Sequence, residues 1–220
     1  MRPSVIVFDV NETLSDLSPL TARFVEVGAS AHTAGLWFAS VLRDGFALTA
    51  AGENPPFAGV AREELLALMD QTQLNRSLED AASHVMEGFR SLEVHSDVGP
   101  GISRLAEDGF RLVTLSNGSA AVAEALLKAA DLREHFERLL SVEHAGAWKP
   151  ARRPYRYAAA QCGVDPAETL MVAVHPWDVD GAARAGMQTA WVDRSEGHFP
   201  GVFAAPTYTV PGIEALADLW

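Results

Sequence analysis

Val5-Ile6-Val7-Phe8-Asp9-Val10-Asn11-Glu12-Thr13-Leu14 joins an unbroken apolar run to a carboxylate and a polar turn. A run of strand length that does not alternate with polar residues marks a strand buried on both faces, as in a parallel sheet covered by helices. The stretch predicts a strand over Val5–Phe8 with Asp9 at its carboxyl end.

The pattern recurs downstream. Residues 111–115 (RLVTL) stop at Ser116-Asn117-Gly118-Ser119, residues 169–174 (TLMVAV) at His175-Pro176, and residues 189–192 (TAWV) at Asp193. Helix-patterned segments lie between these runs, at 120–130 after the N-cap candidate Ser119, at 154–162 and at 179–185. Strand alternating with helix predicts an α/β fold with a doubly wound parallel sheet, in which ligands bind beyond the carboxyl ends of the strands. Residues 17–94 break the rhythm, being helix-patterned at 33–46, 62–69 and 78–89, with a loop at 52–56. They read as an inserted α-helical cap on a core of 1–16 and 95–220, and Gly99-Pro100-Gly101 marks the return to that core. Glu63-Glu64 and Glu79-Asp80 are expected near helix starts, where acids suit the helix dipole.

A chain of 220 residues, 48% of them hydrophobic, buries a full core without staples. The single cysteine, Cys162, has no partner for an internal disulfide and reads as a small buried apolar residue. The N-terminal apolar run is too short for a signal peptide or a membrane span, so a reducing cytoplasm is expected. A formal net charge of -12 with no basic cluster argues against nucleic acid and anionic membranes as partners. The same field repels small anions, so any anion site must depend on local donors.

Asp9 at a buried strand tip can be a nucleophile, or simply a turn aspartate. Ser116, Asn117 and Gly118 form a donor-rich corner suited to an anion or oxyanion. Lys149 is either a solvated charge or an ammonium aimed inward by Pro150, and Trp177-Asp178 adds an indole and a second carboxylate. His175 is either a proton shuttle or a strand-capping residue. Trp37, Phe38 and Phe46 either belong to the core or line a small apolar pocket. The remaining histidines show no metal-ligand spacing.

Taken in order, Phe8-Asp9-Val10-Asn11-Glu12-Thr13-Leu14, Leu115-Ser116-Asn117-Gly118, Lys149-Pro150 and Asp178-Val179-Asp180-Gly181-Ala182 resemble the four motifs of the haloacid dehalogenase superfamily. The resemblance spans nearly the whole chain. It implies a Rossmann-like core beneath a cap, Asp9 as nucleophile, Thr13 and Ser116 as its hydrogen-bond partners, Lys149 as the balancing charge and Asp178 as the last acid.

Within that superfamily the phosphatases carry an acid two positions after the nucleophile, to protonate an alkoxide leaving group; here Asn11 stands there and cannot deliver a proton. They also hold Mg²⁺ with an acid four positions before the equivalent of Asp178, which here is Val174. Metal-independent chemistry with no cofactor is therefore expected. Ser116-Asn117-Gly118, Trp177-Asp178 and Tyr155 resemble the (S)-2-haloacid dehalogenase branch, in which the amide and the aromatic cradle halide. The implied reaction is displacement of halide by Asp9 followed by hydrolysis of the ester, with a small halocarboxylate and water as partners and inversion at carbon. Two other readings stay open, a phosphatase-like hydrolase and a capped domain that binds a metabolite without turnover. A homodimer is compatible with the resemblance.

Departures from the branch are local. Asn11 replaces an aromatic, and Phe38 falls where a cap arginine assists the substrate, with Arg43 and Arg23 as the candidate replacements. His175 stands in a stretch that is more polar in the family.

Overall fold

The computed structural model describes residues 2–70, 73–194 and 197–220. Among the described residues six strands form one parallel sheet: β1 (Val5–Phe8), β2 (Arg111–Ser116), β3 (Phe136–Ser141), β4 (Thr169–Ala173), β5 (Gln188–Val192) and β6 (Tyr208–Val210), in the order β3-β2-β1-β4-β5-β6. This is the doubly wound order, whose switch point lies between β1 and β4. Phe8 pairs with both Thr114 and Val172, so Asp9, Asn117 and His175 leave the sheet along one edge.

β1 reads as continuously apolar because its residues divide between two cores. Ile6 and Phe8 pack on one face with Ile102, Leu105 and Val172, whereas Val5 and Val7 pack on the other with Tyr155, Met171 and Val179. β3 and β6 were not anticipated from the sequence. β3 lies at an edge and exposes Glu137 and Arg138, and β6 is short and half-exposed at the other edge, so neither carries the two-faced apolar run.

The helices are α1 (Leu20–Glu26), α2 (Thr33–Ala50), α3 (Phe57–Met69), α4 (Leu78–Arg90), α5 (Val98–Glu107), α6 (Ala120–Ala129), α7 (Val142–Ala145), α8 (Arg152–Cys162) and α9 (Pro176–Ala185). The first four, inserted after β1, bury a cluster of their own around Phe24, Trp37, Phe57, Leu65 and Phe89, which Trp148 joins from the other part of the chain. Gly99-Pro100-Gly101 lies in the first turn of α5, where proline's missing N–H has no helical acceptor to lose. Gly101 is needed there for close approach, since a Cβ would sit 2.6 Å from the Ile213 carbonyl carbon. The Glu79-Asp80 pair does follow the N-cap Ser77, but α3 starts at Phe57, so Glu63 and Glu64 lie within the helix rather than near its start. Among the described residues no helix is long and apolar enough to cross a membrane.

Candidate active site

Asp9 follows β1 directly and is 4% exposed, in a turn closed by hydrogen bonds from the Leu14 and Ser15 N–H groups to the Val10 carbonyl. That turn brings Thr13 back over the strand end. Its hydroxyl donates to Asp9 Oδ2 at 2.7 Å and accepts from the Val174 N–H at 3.1 Å, tying β1 to the end of β4.

Lys149 is fully buried and points inward. Its Nζ donates to Asp9 Oδ1 at 2.8 Å and to Asp178 Oδ2 at 2.6 Å, while the Tyr155 hydroxyl donates to Asp178 Oδ1 at 2.6 Å. Asp178 sits in the first turn of α9. Burial pushes the Asp9 carboxyl up, but Lys149 and His175 outweigh it and hold the group well below the usual carboxylate range, so it is ionised at neutral pH. For Asp178, burial outweighs the pull of Lys149 and shifts the carboxyl upward. Tyr155 is pushed well above its ordinary value by burial and by Asp178, which keeps its hydroxyl a donor. Two carboxylates sharing one ammonium are thus driven apart in acidity, the condition for giving them different tasks.

Asn117 Oδ1 accepts from the Lys149 N–H at 2.9 Å, while its Nδ2 is buried without a hydrogen-bond partner among the described residues. A buried donor left free is costly unless a ligand uses it. Of the two expected hydrogen-bond partners of Asp9, Thr13 is in place and Ser116 is not: the Ser116 Oγ accepts from the Gly118 N–H at 2.8 Å and shapes the turn. Asn11 is buried beside this turn.

His175 caps α9 and lies next to Asp9. Its Nε2 is 2.7 Å from Glu12 Oε2, and its Nδ1 is 3.3 Å from Asp9 Oδ2, off the line of a hydrogen bond. Burial disfavours the imidazolium, but Asp9 and Glu12 favour it more, raising the pKa to about 9. The Trp177 ring stacks on the imidazole at 4.8 Å and meets Phe46 edge-on at 4.9 Å; Phe38 lies 6.3 Å from the imidazole. Phe38 is therefore at once a core residue and a wall of the site, since it also packs on Phe57. A cavity of about 500 Å³ opens against the Glu12–His175 pair, between Leu20, Ala34 and Phe38 on one side and Arg194 on the other.

The expected replacements for a cap arginine are not in the site. Arg43 lies on the outer side of α2, with a side chain 64% exposed, bound to Asp44 and 3.5 Å from Glu64. Arg23 packs over Gly88 with Nη1 3.5 Å from His84. Helical periodicity decides this, since Arg43 does not share the inward face of Phe38 and Val41. Glu12, by contrast, is not legible in the sequence, because a glutamate in a polar turn carries no signal and its partner is 163 positions away.

A divalent cation does not fit this donor set. The facing oxygens of Asp9 and Asp178 are both bound by the Lys149 ammonium, and Val174 offers no side-chain ligand.

The haloacid dehalogenase-like hydrolase model matches residues 3–186. The chain is 27% identical over 216 residues to haloacetate dehalogenase H-2 of Moraxella sp. (strain B), covering 97% of this chain and 96% of that protein. It is 27% identical over 217 residues to an (S)-2-haloacid dehalogenase of Pseudomonas sp. (strain YL), covering 98% and 93%. Among solved structures, a dehalogenase with an intermediate complex superposes with a TM-score of 0.92 at 26% identity, covering 99% of this chain and 96% of that one.

Proposed function

Because this chain belongs to the haloacid dehalogenase-like hydrolases, we propose that it cleaves the carbon–halogen bond of short 2-haloalkanoic acids, without metal, through an ester on Asp9. The observation that carries this reading is the buried Lys149 bridge between Asp9 and Asp178. It supplies a compensating cation where a metal would otherwise have to bind, and it keeps Asp9 an ionised nucleophile. The relatives' dehalogenase names support the same reading.

In the first step Asp9 Oδ2 attacks the carbon bearing halogen, while Lys149 holds Oδ1, the future ester carbonyl. Halide leaves without needing a proton, which suits the neutral amide at Asn11. It departs toward Asn117 Nδ2, which has no partner among the described residues, and Trp177. Water then attacks the ester carbonyl, and Lys149 balances the oxyanion while Asp178, itself fixed by Tyr155, holds Lys149 in place. Thr13 aims the carboxylate, and Ser116 shapes the turn that presents Asn117. Residues 17–94 act as the cap over this site on the core of 1–16 and 95–220. Attack by an enzyme carboxylate inverts the carbon, so a 2-haloacid of one hand gives the hydroxyacid of the other. The substrate carboxylate is received by donors other than Arg43 and Arg23.

The test is halide release from each enantiomer of 2-chloropropionate, and from chloroacetate and fluoroacetate, in the presence of a chelator, beside phosphate release from a general phosphoester with Mg²⁺. Chelator-resistant halide release supports the reading. Mg²⁺-dependent phosphate release without halide overturns it.

A further inference from the structure

Glu12 is not needed to hold Asp9, yet it is placed against its own backbone preference. Its φ is 64°, in the left-handed region that glycine adopts freely and a side chain resists. From that position its carboxylate meets His175 Nε2 at 2.7 Å. A carboxylate on one ring nitrogen sets the tautomer, with the proton on Nε2, so the other nitrogen is the one free to exchange a proton. That nitrogen, Nδ1, is 3.3 Å from Asp9 Oδ2. Trp177 covers the ring and Phe38 stands near it, so the imidazole has little freedom to turn away.

We propose that Glu12 positions His175 as the general base that hydrolyses the Asp9 ester, and that loss of the Asp9 charge in the first step is what releases His175 to act. The proposal rests on the ester mechanism above. In the resting enzyme the imidazole faces two carboxylates, Asp9 and Glu12, both of which favour the imidazolium. The other charged groups reach it indirectly: Lys149 and Asp178 through Asp9, His95 through the Glu12 carbonyl at 3.0 Å, and Arg194 through the Thr13 carbonyl.

Forming the bond from Asp9 Oδ2 to the substrate carbon breaks the carbon–halogen bond, and halide takes the bonding pair. Asp9 is now a neutral ester, so His175 has one anionic neighbour in place of two. Its Nδ1 proton is lost to solvent through the cavity that His175 lines, while Nε2 keeps the proton it donates to Glu12. Water then attacks Asp9 Cγ as Nδ1 accepts one of its protons. The tetrahedral adduct expels the alkoxide, which takes that proton and leaves as hydroxyacid. The new carboxyl group returns its proton to Nδ1, restoring carboxylate and imidazolium. One water is consumed and one halide, one hydroxyacid and one proton appear, the proton leaving with the halide rather than with the product alcohol.

Rapid mixing of the whole protein with 2-chloropropionate, following halide by quenching and protons by an indicator, tests this. Simultaneous release of halide and proton is expected from the parent protein. Glu12→Gln should leave the first halide turnover intact, slow ester hydrolysis on the order of 100-fold, and let the ester accumulate on Asp9 in intact-mass spectra. It should also move the midpoint of the pH profile for ester hydrolysis to lower pH, because a carboxylate that favours imidazolium is gone; a merely structural role would not shift that midpoint. His175→Asn should stop after one halide per site, and Glu12→Gly, which relieves the backbone, should behave like Glu12→Gln. Halide release by the parent with ester hydrolysis unchanged in both Glu12 variants overturns this inference alone. No halide release by the parent protein overturns the dehalogenase reading, and this inference with it.

Discussion

Lys149 Nζ lies 2.8 Å from Asp9 Oδ1, with the lysine fully buried and the aspartate side chain 5% exposed, so each charge depends on the other for its stability in the interior. Removing one member leaves the rest uncompensated. Lys149→Met is expected to destabilise the fold by about 3–5 kcal/mol and to abolish halide release, checked by urea unfolding and a halide assay. Asp9→Asn is expected to abolish turnover as well, and undiminished turnover in that variant would end the covalent mechanism.

Thr13 serves two buried groups at once. Thr13→Val removes the donor to Asp9 and orphans the Val174 N–H. A loss of about 1–3 kcal/mol in unfolding free energy follows from the unsatisfied N–H, together with a fall in kcat as Asp9 loses its aim.

Stability should also report His175. Its folded pKa, about 9, lies above the ordinary histidine value of 6.5, so the protonated form stabilises the fold. That contribution is complete below pH 6.5 and is lost as pH rises through 9. Its size is roughly 3 kcal/mol at 1.36 kcal/mol per pKa unit. Urea unfolding at pH 6 to 10 should show this decline in the parent protein, and the decline should be absent in His175→Asn.

Glycine at position 45 allows α2 to approach Trp148, the neighbour of Lys149. A Cβ there would sit 2.2 Å from the indole. Gly45→Ala is expected to cost about 1–3 kcal/mol by overpacking and to lower kcat by displacing Lys149, which calorimetry and the halide assay would reveal.

Arg43→Ala should do almost nothing. The guanidinium is exposed and paired on the outer surface, where solvent and salt screen such pairs. Unchanged kcat/KM for 2-chloropropionate is expected; a large loss would place the substrate carboxylate near α2's outer face.

By itself the sequence determined the sheet's interior strands, the helices at 33–50, 57–69 and 78–90 in outline, and the order of Asp9, Asn117, Lys149 and Asp178 along the chain. These features are local: a strand buried on both faces must be apolar throughout, and the residue after it must leave the sheet at its edge. β3 and β6 were illegible because edge strands tolerate charge, as Glu137 and Arg138 do. Only the tertiary structure decided which polar groups meet. Ser116 turns to the Gly118 N–H and not to Asp9, Arg43 turns outward, and Glu12 finds His175 across 163 positions. Hydrogen bonds act over about 3 Å, and a polar residue's partner at that range is set by how separate elements pack, which the residue's own neighbours in sequence do not encode.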